Sequence, residues 1–538
     1  MLADIKDHIE KMRIGPLGWL AGLVGILFVR FFLEALSNPS ASLALAVDMP
    51  TLLHYGLFFL TVALFLMIFL NTFLPKLGPH IPKVAVIFFA GILIAPIIDL
   101  LAKGVGGSPM VYILDSPLGM LKSFFYLFST NPPFGTTLGL QIEIAIILIS
   151  IFCAIYFSTK NWLKSFLATL FFYAVLFTLC SMPTVLAIAA GQAGGPTEVI
   201  NFIQKTIGAS ATLQNHIQSG LIFGSIEKLL DTGFNFMVAR VFFLLSIGLS
   251  CLWFWKIKRE LTLALLKNSR PERVGNYIFI IILGIFAALR LFPEVNLNWN
   301  DWLAVLSLFL SLYFSAMFAI CVNDLEDVEI DKITNTDRPL AVNSASPEEL
   351  RSASHLFLIG SLIAGYLSGL LPFFFILVFT ALYYIYSAPP TRFKLIPIFS
   401  SFLIGLCCAA MFLAGFFLVS PLKVVSAIPT ELTLIIFLFY FLFWHVRDMK
   451  DIKGDRVAHI PTLPVVVGEK WGRKVVGVVS GLAFLIPPLF IKMHLLWIPG
   501  VLAALATYYF VNKDPYSEKP IFITYVLFIL SLALILFV

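Results

Sequence analysis

Three aspartates stand at close intervals in the stretch Cys321 to Leu340, within a chain that is otherwise strongly apolar. Asp324, Asp327 and Asp331 have the spacing i, i+3, i+7. At 100° per residue this gathers them within an arc of roughly 60° on a helix. Like charges on one face repel, so the face calls for a cation set against it. Carboxylate oxygens, without cysteine or clustered histidine, suit a hard cation, above all Mg2+. The stretch His445 to Pro464 repeats the device, with Asp448, Asp451 and Asp455 at the same spacing. Mg2+ usually takes one or two protein carboxylates and fills its other positions with water and substrate phosphate. Two such sites facing each other would grip a diphosphate.

Between the two stretches runs Tyr386-Ser387-Ala388-Pro389-Pro390-Thr391-Arg392-Phe393-Lys394. The proline pair predicts an extended turn that projects Arg392 and Lys394. Arginine offers bidentate phosphate binding and lysine a point charge. Arg338, in Asp337-Arg338-Pro339-Leu340, is a third candidate. Taken singly, each is an ordinary basic anchor at a membrane surface. Three on the side that carries both acidic triads point to diphosphate binding. One triad alone reads equally well as a solvated face; two matched triads favour a site. Asn323 is placed to orient a ligand or a carboxylate. Glu326, Glu329, Lys450 and Lys453 fall off the aspartate faces and read as solvated flanks. His445 and His459 have no nucleophile to serve and read as structural.

The elements that must position these groups are membrane helices. Of 538 residues 60% are hydrophobic and 12% charged, against about 25% charged in soluble domains. Mean hydropathy is +0.96. The fold class is therefore an all-α polytopic membrane protein. The net charge of +6 is no nucleic-acid signature, because the basic residues sit in short loops between apolar runs. Six cysteines show neither metal-ligand spacing nor a disulfide pattern. The opening MLADIKDHIEKMRIG reads as a polar lead-in rather than a cleavable signal.

Runs of about 20 apolar residues predict spans near 17–36, 51–74, 84–102, 139–158, 162–190 and 233–255. Residues 108–130 are broken by proline and glycine and read as a re-entrant or surface segment. Residues 191–232 read as a long loop with a surface helix around 217–231. The basic connector 256–274 divides a multi-span domain, 1–255, from a second domain, 275–538. Nine further spans are expected near 276–292, 301–321, 353–370, 371–386, 397–419, 430–446, 474–490, 495–512 and 520–538. Connectors 256–274, 322–352, 387–396, 447–474 and 513–519 hold twenty Lys and Arg residues, against only Lys423 and Lys492 on the opposite side. This asymmetry assigns both acidic triads to the cytoplasmic side.

From about residue 270 onward the chain resembles the UbiA superfamily of intramembrane prenyltransferases. Asn323-Asp324-x-x-Asp327-x-x-x-Asp331 followed by Arg338-Pro339-Leu340 is similar to that family's first aspartate motif. Asp448-x-x-Asp451-x-x-x-Asp455 is similar to the second, and Tyr386-Ser387 with Arg392 and Lys394 to the connector. The resemblance implies a nine-helix UbiA-type bundle, preceded here by an extra domain of about six transmembrane helices. It implies a polyprenyl diphosphate donor, Mg2+ as cofactor and a hydrophobic acceptor: an aromatic quinone precursor, a chlorin or a glycerol-ether lipid. The implied metal ligands are Asn323, Asp324, Asp327, Asp331, Asp448, Asp451 and Asp455. Arg338, Arg392, Lys394 and Tyr386 would bind the diphosphate, and turnover would depend most on Asp327, Asp451 and Lys394. The expected setting is a prokaryotic plasma (inner) membrane with the site facing the cytoplasm, and no nucleic acid is involved.

The competing class is a transporter whose aspartate clusters bind ions or a phosphorylated substrate. Fifteen spans permit it. Acidic triads in connectors, rather than at the bilayer midplane, and the lack of matched broken helices speak against it. Residues 1–255 carry no chemical motif and read as an accessory scaffold or a substrate-delivery module.

Overall fold

The structure, a computed structural model, describes residues 14–37, 48–102, 113–114, 116–133, 135–192, 195–213, 226–396, 398–457 and 461–537. It divides into two compact units. The first comprises residues up to Arg259 together with Leu297–Leu303; the second comprises Glu260–Asn296 and Ala304–Val538. Among the described residues fourteen helical segments are long and apolar enough to cross a membrane. Six belong to the first unit, and eight to the second, where the C-terminal apolar helix Lys519–Phe537 makes a ninth.

The first unit holds α1 (Pro16–Ser37), α2 (Met49–Phe73), α3 (Ile81–Phe89), α4 (Ile94–Leu101), α5 (Pro117–Tyr126), α6 (Leu138–Thr159), α7 (Trp162–Cys180), α8 (Met182–Ala189), α9 (Pro196–Gly208) and α10 (Ile226–Ile257). The expected single span 162–190 is broken at Ser181, because Pro183 opens a new helix there. The stretch read as a long loop contains α9, a correction. Val199, Phe202, Ile203 and Ile207 recur at i, i+3, i+4, i+8 and are buried, an amphipathic period that the preceding Gly-Gly-Pro hid. Most of the surface helix expected at 217–231 lies outside the described residues, as does the N-terminal lead-in up to residue 13. Within 108–130 the described part is chiefly α5.

Polar groups inside the first unit are matched to one another, as an apolar surround requires. Arg30 on α1 pairs with Glu143 on α6 at 3.0 Å and with Glu34 at 2.7 Å. Glu143 also accepts from the Ala95 amide at 3.1 Å. Helices α2 and α10 pack together through His54–Asn235 (2.7 Å) and Thr61–Ser246 (2.9 Å). Residues 297–303 belong to this unit because Asp301 accepts from Ser210 Oγ (2.7 Å) and from Thr212 N (2.9 Å).

The second unit holds α11 (Arg259–Lys267), α12 (Pro271–Leu291), α13 (Trp299–Glu326, from Ala304 onward), α14 (Val328–Thr334), α15 (Pro347–Ser368), α16 (Leu370–Ser387), α17 (Phe399–Val419), α18 (Thr430–Phe443), α19 (Asp448–Val457), α20 (Leu463–Val467), α21 (Glu469–Ala483), α22 (Ile486–Ile491), α23 (Trp497–Asn512) and α24 (Lys519–Phe537). The connector 256–274 is thus mostly helical. Helix α17 is buried along nearly all its length and packs against α12, α16 and α18. Its crossing with α12 is a reciprocal glycine contact. A Cβ on Gly284 would lie 2.0 Å from the Phe412 carbonyl oxygen, and one on Gly415 would lie 2.1 Å from that of Ile281. Only glycine lets the two backbones meet this closely. A hydroxyl chain ties α13, α15 and α16: Ser315 meets Ser361 at 2.8 Å and Thr380 at 2.6 Å.

Two outcomes follow for stability in detergent, read from thermal unfolding midpoints. Gly415→Val is expected to destabilise the bundle by about 1–3 kcal/mol or more, whereas Gly275→Ala, with open space around its Cβ, leaves the midpoint unchanged. Glu143→Ala removes one of the two carboxylates facing buried Arg30, with an expected cost of about 3–5 kcal/mol.

Candidate functional site: two acidic segments at one end of the helix bundle

Helix α13 carries Asn323 and Asp324 in its last turn and ends at Glu326. Asp327 then breaks the helix (φ −105°, ψ 18°) and caps α14, which carries Asp331. The three aspartates therefore do not share one uninterrupted helix, a correction to the sequence expectation. The break is slight. The Asp327 amide still bonds to the Asn323 carbonyl (2.9 Å) and the Asp331 amide to that of Asp327 (2.8 Å). The common face survives, and all three carboxylates are buried.

Each has its own partners. Asp324 accepts from the Asn268 amide and pairs with Arg270 (3.2 Å), with Arg338 at 3.8 Å. Asp327 pairs with Arg392 and Lys394 and accepts from Asn323 Nδ2 at 2.7 Å. Asp331 accepts from Asn335 Nδ2 at 2.9 Å. Burial pushes the Asp331 carboxyl above its usual range, with Asn335 and Arg338 acting in the other direction. Burial and the neighbouring Arg338 lower the pKa of Arg270, and Asp324 opposes them. Asn268 spans the group, because its Oδ1 accepts from Arg338 Nη1 at 2.6 Å.

The connector brings both of its cations to Asp327. Arg392 takes a left-handed backbone (φ 41°), and Lys394, in the short turn that follows, is buried. Tyr386 lies in the last turn of α16, its ring 6.3 Å from that of Tyr383. The second acidic segment forms α19, preceded by a tight helical turn, Trp444–Arg447. Helix α19 packs against α14, so the two segments face each other. Asp448 lies 3.6 Å from His445 Nδ1, and His445 also contacts Ser401 at 3.2 Å. Asp451 and Asp455 lie on the backbone of α19, but their side chains, like the whole of His459, lie outside the described residues. Glu329 pairs with Lys332 at 2.8 Å on the exposed side, a solvated flank.

Among the described residues no three acidic, histidine or cysteine side chains converge on one point as a ready-made metal nest. The spacing explains this, since residues i and i+7 stand roughly 10 Å apart along a helix axis. The donor set is nonetheless all oxygen. Four cations, Arg270, Arg338, Arg392 and Lys394, stand against Asp324 and Asp327. The Nε–H groups of Arg270, Arg338 and Arg392 are buried with no acceptor among the described residues. Unmet guanidinium donors suit the oxygens of an anion. Sequence reasoning missed Asn268 and assigned Arg270 to a linker. The Arg-Pro pair opening α12 was the available signal for Arg270; nothing in the sequence marks Asn268.

The carboxylates differ in what they leave behind. Asp324→Ala strands a largely buried Arg270 and is expected to cost about 3–5 kcal/mol. Asp331→Ala removes one amide hydrogen bond and is expected to cost about 1 kcal/mol. The thermal midpoints of the two variants give the comparison.

A family model described as the UbiA prenyltransferase family matches residues 277–536. Digeranylgeranylglyceryl phosphate synthase of Sulfolobus acidocaldarius is 31% identical over 191 residues, which is 34% of this chain and 65% of that protein. The protein of the same name from Methanococcus aeolicus is 28% identical over 218 residues, 40% of this chain and 70% of its own. The chain thus spans about two thirds of the length of these relatives. A solved structure of a UbiA homolog from Archaeoglobus fulgidus bound to GPP and Mg2+ aligns over 50% of this chain and 97% of its own, at 21% identity and a TM-score of 0.40.

Proposed function

Because residues 277–536 are a domain of the UbiA prenyltransferase family, we propose that the chain transfers a polyprenyl group, with Mg2+, from a polyprenyl diphosphate to a glycerol-ether lipid within the membrane. The observation that carries this reading is the set of three buried carboxylates flanked by Arg270, Arg338, Arg392 and Lys394, facing a second acidic helix. The relatives named as digeranylgeranylglyceryl phosphate synthases support the choice of acceptor. The charge asymmetry of the connectors supports a cytoplasmic site.

Asn323, Asp324, Asp327 and Asp331 on one side, and Asp448, Asp451 and Asp455 on the other, are the residues that would hold Mg2+. When bound, the metal neutralises diphosphate charge, and its taste for few carboxylates plus phosphate oxygens fits donors that do not converge by themselves. Arg338, Arg392 and Lys394 stabilise the charge that develops on the leaving oxygen as the allylic C1–O bond breaks. Apolar helices exclude water from the cation left at C1. The acceptor hydroxyl oxygen then bonds to C1, and its proton passes to an aspartate carboxylate or to the released diphosphate. Tyr386, in the last turn of α16, would bind the diphosphate with Arg338, Arg392 and Lys394.

The test is full-length protein with radiolabelled geranylgeranyl diphosphate and a panel of acceptors, with Mg2+ or with EDTA. Mg2+-dependent label on the glyceryl-ether lipid is expected. Asp327→Ala and Asp451→Ala are each expected to cut turnover by about 100-fold or more while leaving membrane insertion intact. No transfer and no diphosphate release from folded protein would end this reading in favour of a transporter.

A further inference from the structure

The first unit holds a cavity of its own. Five phenylalanines wall it: Phe58 and Phe59 from α2, Phe88 and Phe89 from α3, and Phe172 from α7. Helix α6 adds Glu143 and, one turn on, Ile147. The empty space comes to about 680 Å3, part of it open to the outside. On α2 the lining runs from Phe58 to Leu66, and on α7 from Phe172 to Cys180. Each stretch covers roughly 12 Å of helix rise. The cavity is therefore long as well as apolar, a shape that takes a stretch of hydrocarbon chain.

Among the described residues Glu143 is the one charged group on this wall. It is buried, and its partners are known. Oε2 accepts from Arg30 Nη1 at 3.0 Å and from the Ala95 amide at 3.1 Å, and Oε1 accepts from Arg30 Nη1 at 3.2 Å. A carboxylate offers about four lone-pair positions, so Oε1 keeps one for a further donor. Arg30 also pairs with Glu34 and lies 5.2 Å from the centroid of the Phe59 ring, itself part of the wall. One guanidinium between two carboxylates leaves an excess of negative charge in an apolar surround. Ionisable groups at membrane depth that border a cavity mark a ligand site before they mark a stabilising pair.

This wall sorts headgroups by charge and by donor count. An anionic headgroup meets like charge. An ammonium brings three donors to one remaining acceptor and leaves two unmet in an apolar cavity. A hydroxyl brings one donor to one acceptor. We propose that the cavity binds an uncharged long-chain alcohol, with its tail among the phenylalanines and its hydroxyl donating to Glu143 Oε1. A branched polyprenol and a straight-chain fatty alcohol share that chemistry. The site lies wholly within the first unit, so it stands or falls independently of the prenyl transfer read for the second.

Full-length protein in phosphatidylcholine nanodiscs is photolabelled with a diazirine-bearing octadecanol, and the labelled peptides are mapped by mass spectrometry. Unlabelled geranylgeraniol, octadecanol, octadecane, octadecylamine and stearate serve as competitors. Label is expected on the lining residues of α2, α6 and α7. Octadecane, octadecylamine and stearate are each expected to need about 10-fold more than the alcohols to displace it. Whichever alcohol displaces it at the lower concentration identifies the preferred tail, and either order supports the proposal. Ile147→Trp, which fills the cavity, is expected to cut labelling by about 10-fold. Glu143→Gln removes one of the two negative charges beside Arg30 and narrows the gap between stearate and the alcohols. Label spread over the lipid-facing surface in proportion to exposure overturns the proposal. So does octadecane, octadecylamine or stearate displacing the probe from the wild type as well as the alcohols do. These readings come from the wild type, so they decide the matter even if both variants fail to fold. A folded Ile147→Trp protein that labels like the wild type overturns it as well.

Discussion

Buried carboxylates at the end of an apolar bundle must be matched by cations, and the second unit is arranged around that match. Asp324 and Asp327 are each held by positive groups from elsewhere in the sequence: Arg270 and Arg338 for the first, Arg392 and Lys394 for the second. Those cations come from the start of α12, from the turn after α14 and from the connector after α16. Such a match joins three separate parts of the chain at one place. It also concentrates fixed charge where water is scarce, the condition under which fixed charges act most strongly on a developing charge.

The helices hold this arrangement through contacts that are mostly not charged. The reciprocal glycine contact brings α12 and α17 to backbone distance, so the positions of Arg270 and Arg273 at the head of α12 follow from packing near its middle. The serine and threonine chain across α13, α15 and α16 fixes the helix that ends in Asp324 relative to the one that ends beside Arg392. In a membrane, small residues and hydroxyls take the part that apolar burial plays in water. The first unit obeys the same rule with other residues, pairing Arg30 with Glu143 and His54 with Asn235 inside an apolar surround.

The span pattern was legible because bilayer thickness imposes a length of apolar chain that composition alone reveals. Six spans and then nine follow from that constraint. Helix α9 escaped notice because its apolar residues are few and amphipathic, a signal that a search for continuous runs passes over. The break at Ser181 turns on one proline inside a run that was otherwise uniform.

The sequence by itself determined the carboxylate sets, their spacing and the cations of the connector, because residue type and interval decide which groups share a face. It also placed the charged stretches at the helix ends, since charge is expelled from the middle of a span. Only the tertiary structure decided which cation meets which carboxylate. Asn268, Arg270 and Arg338 meet Asp324 across 56, 54 and 14 positions of chain, and no local pattern encodes a contact made by helix crossing.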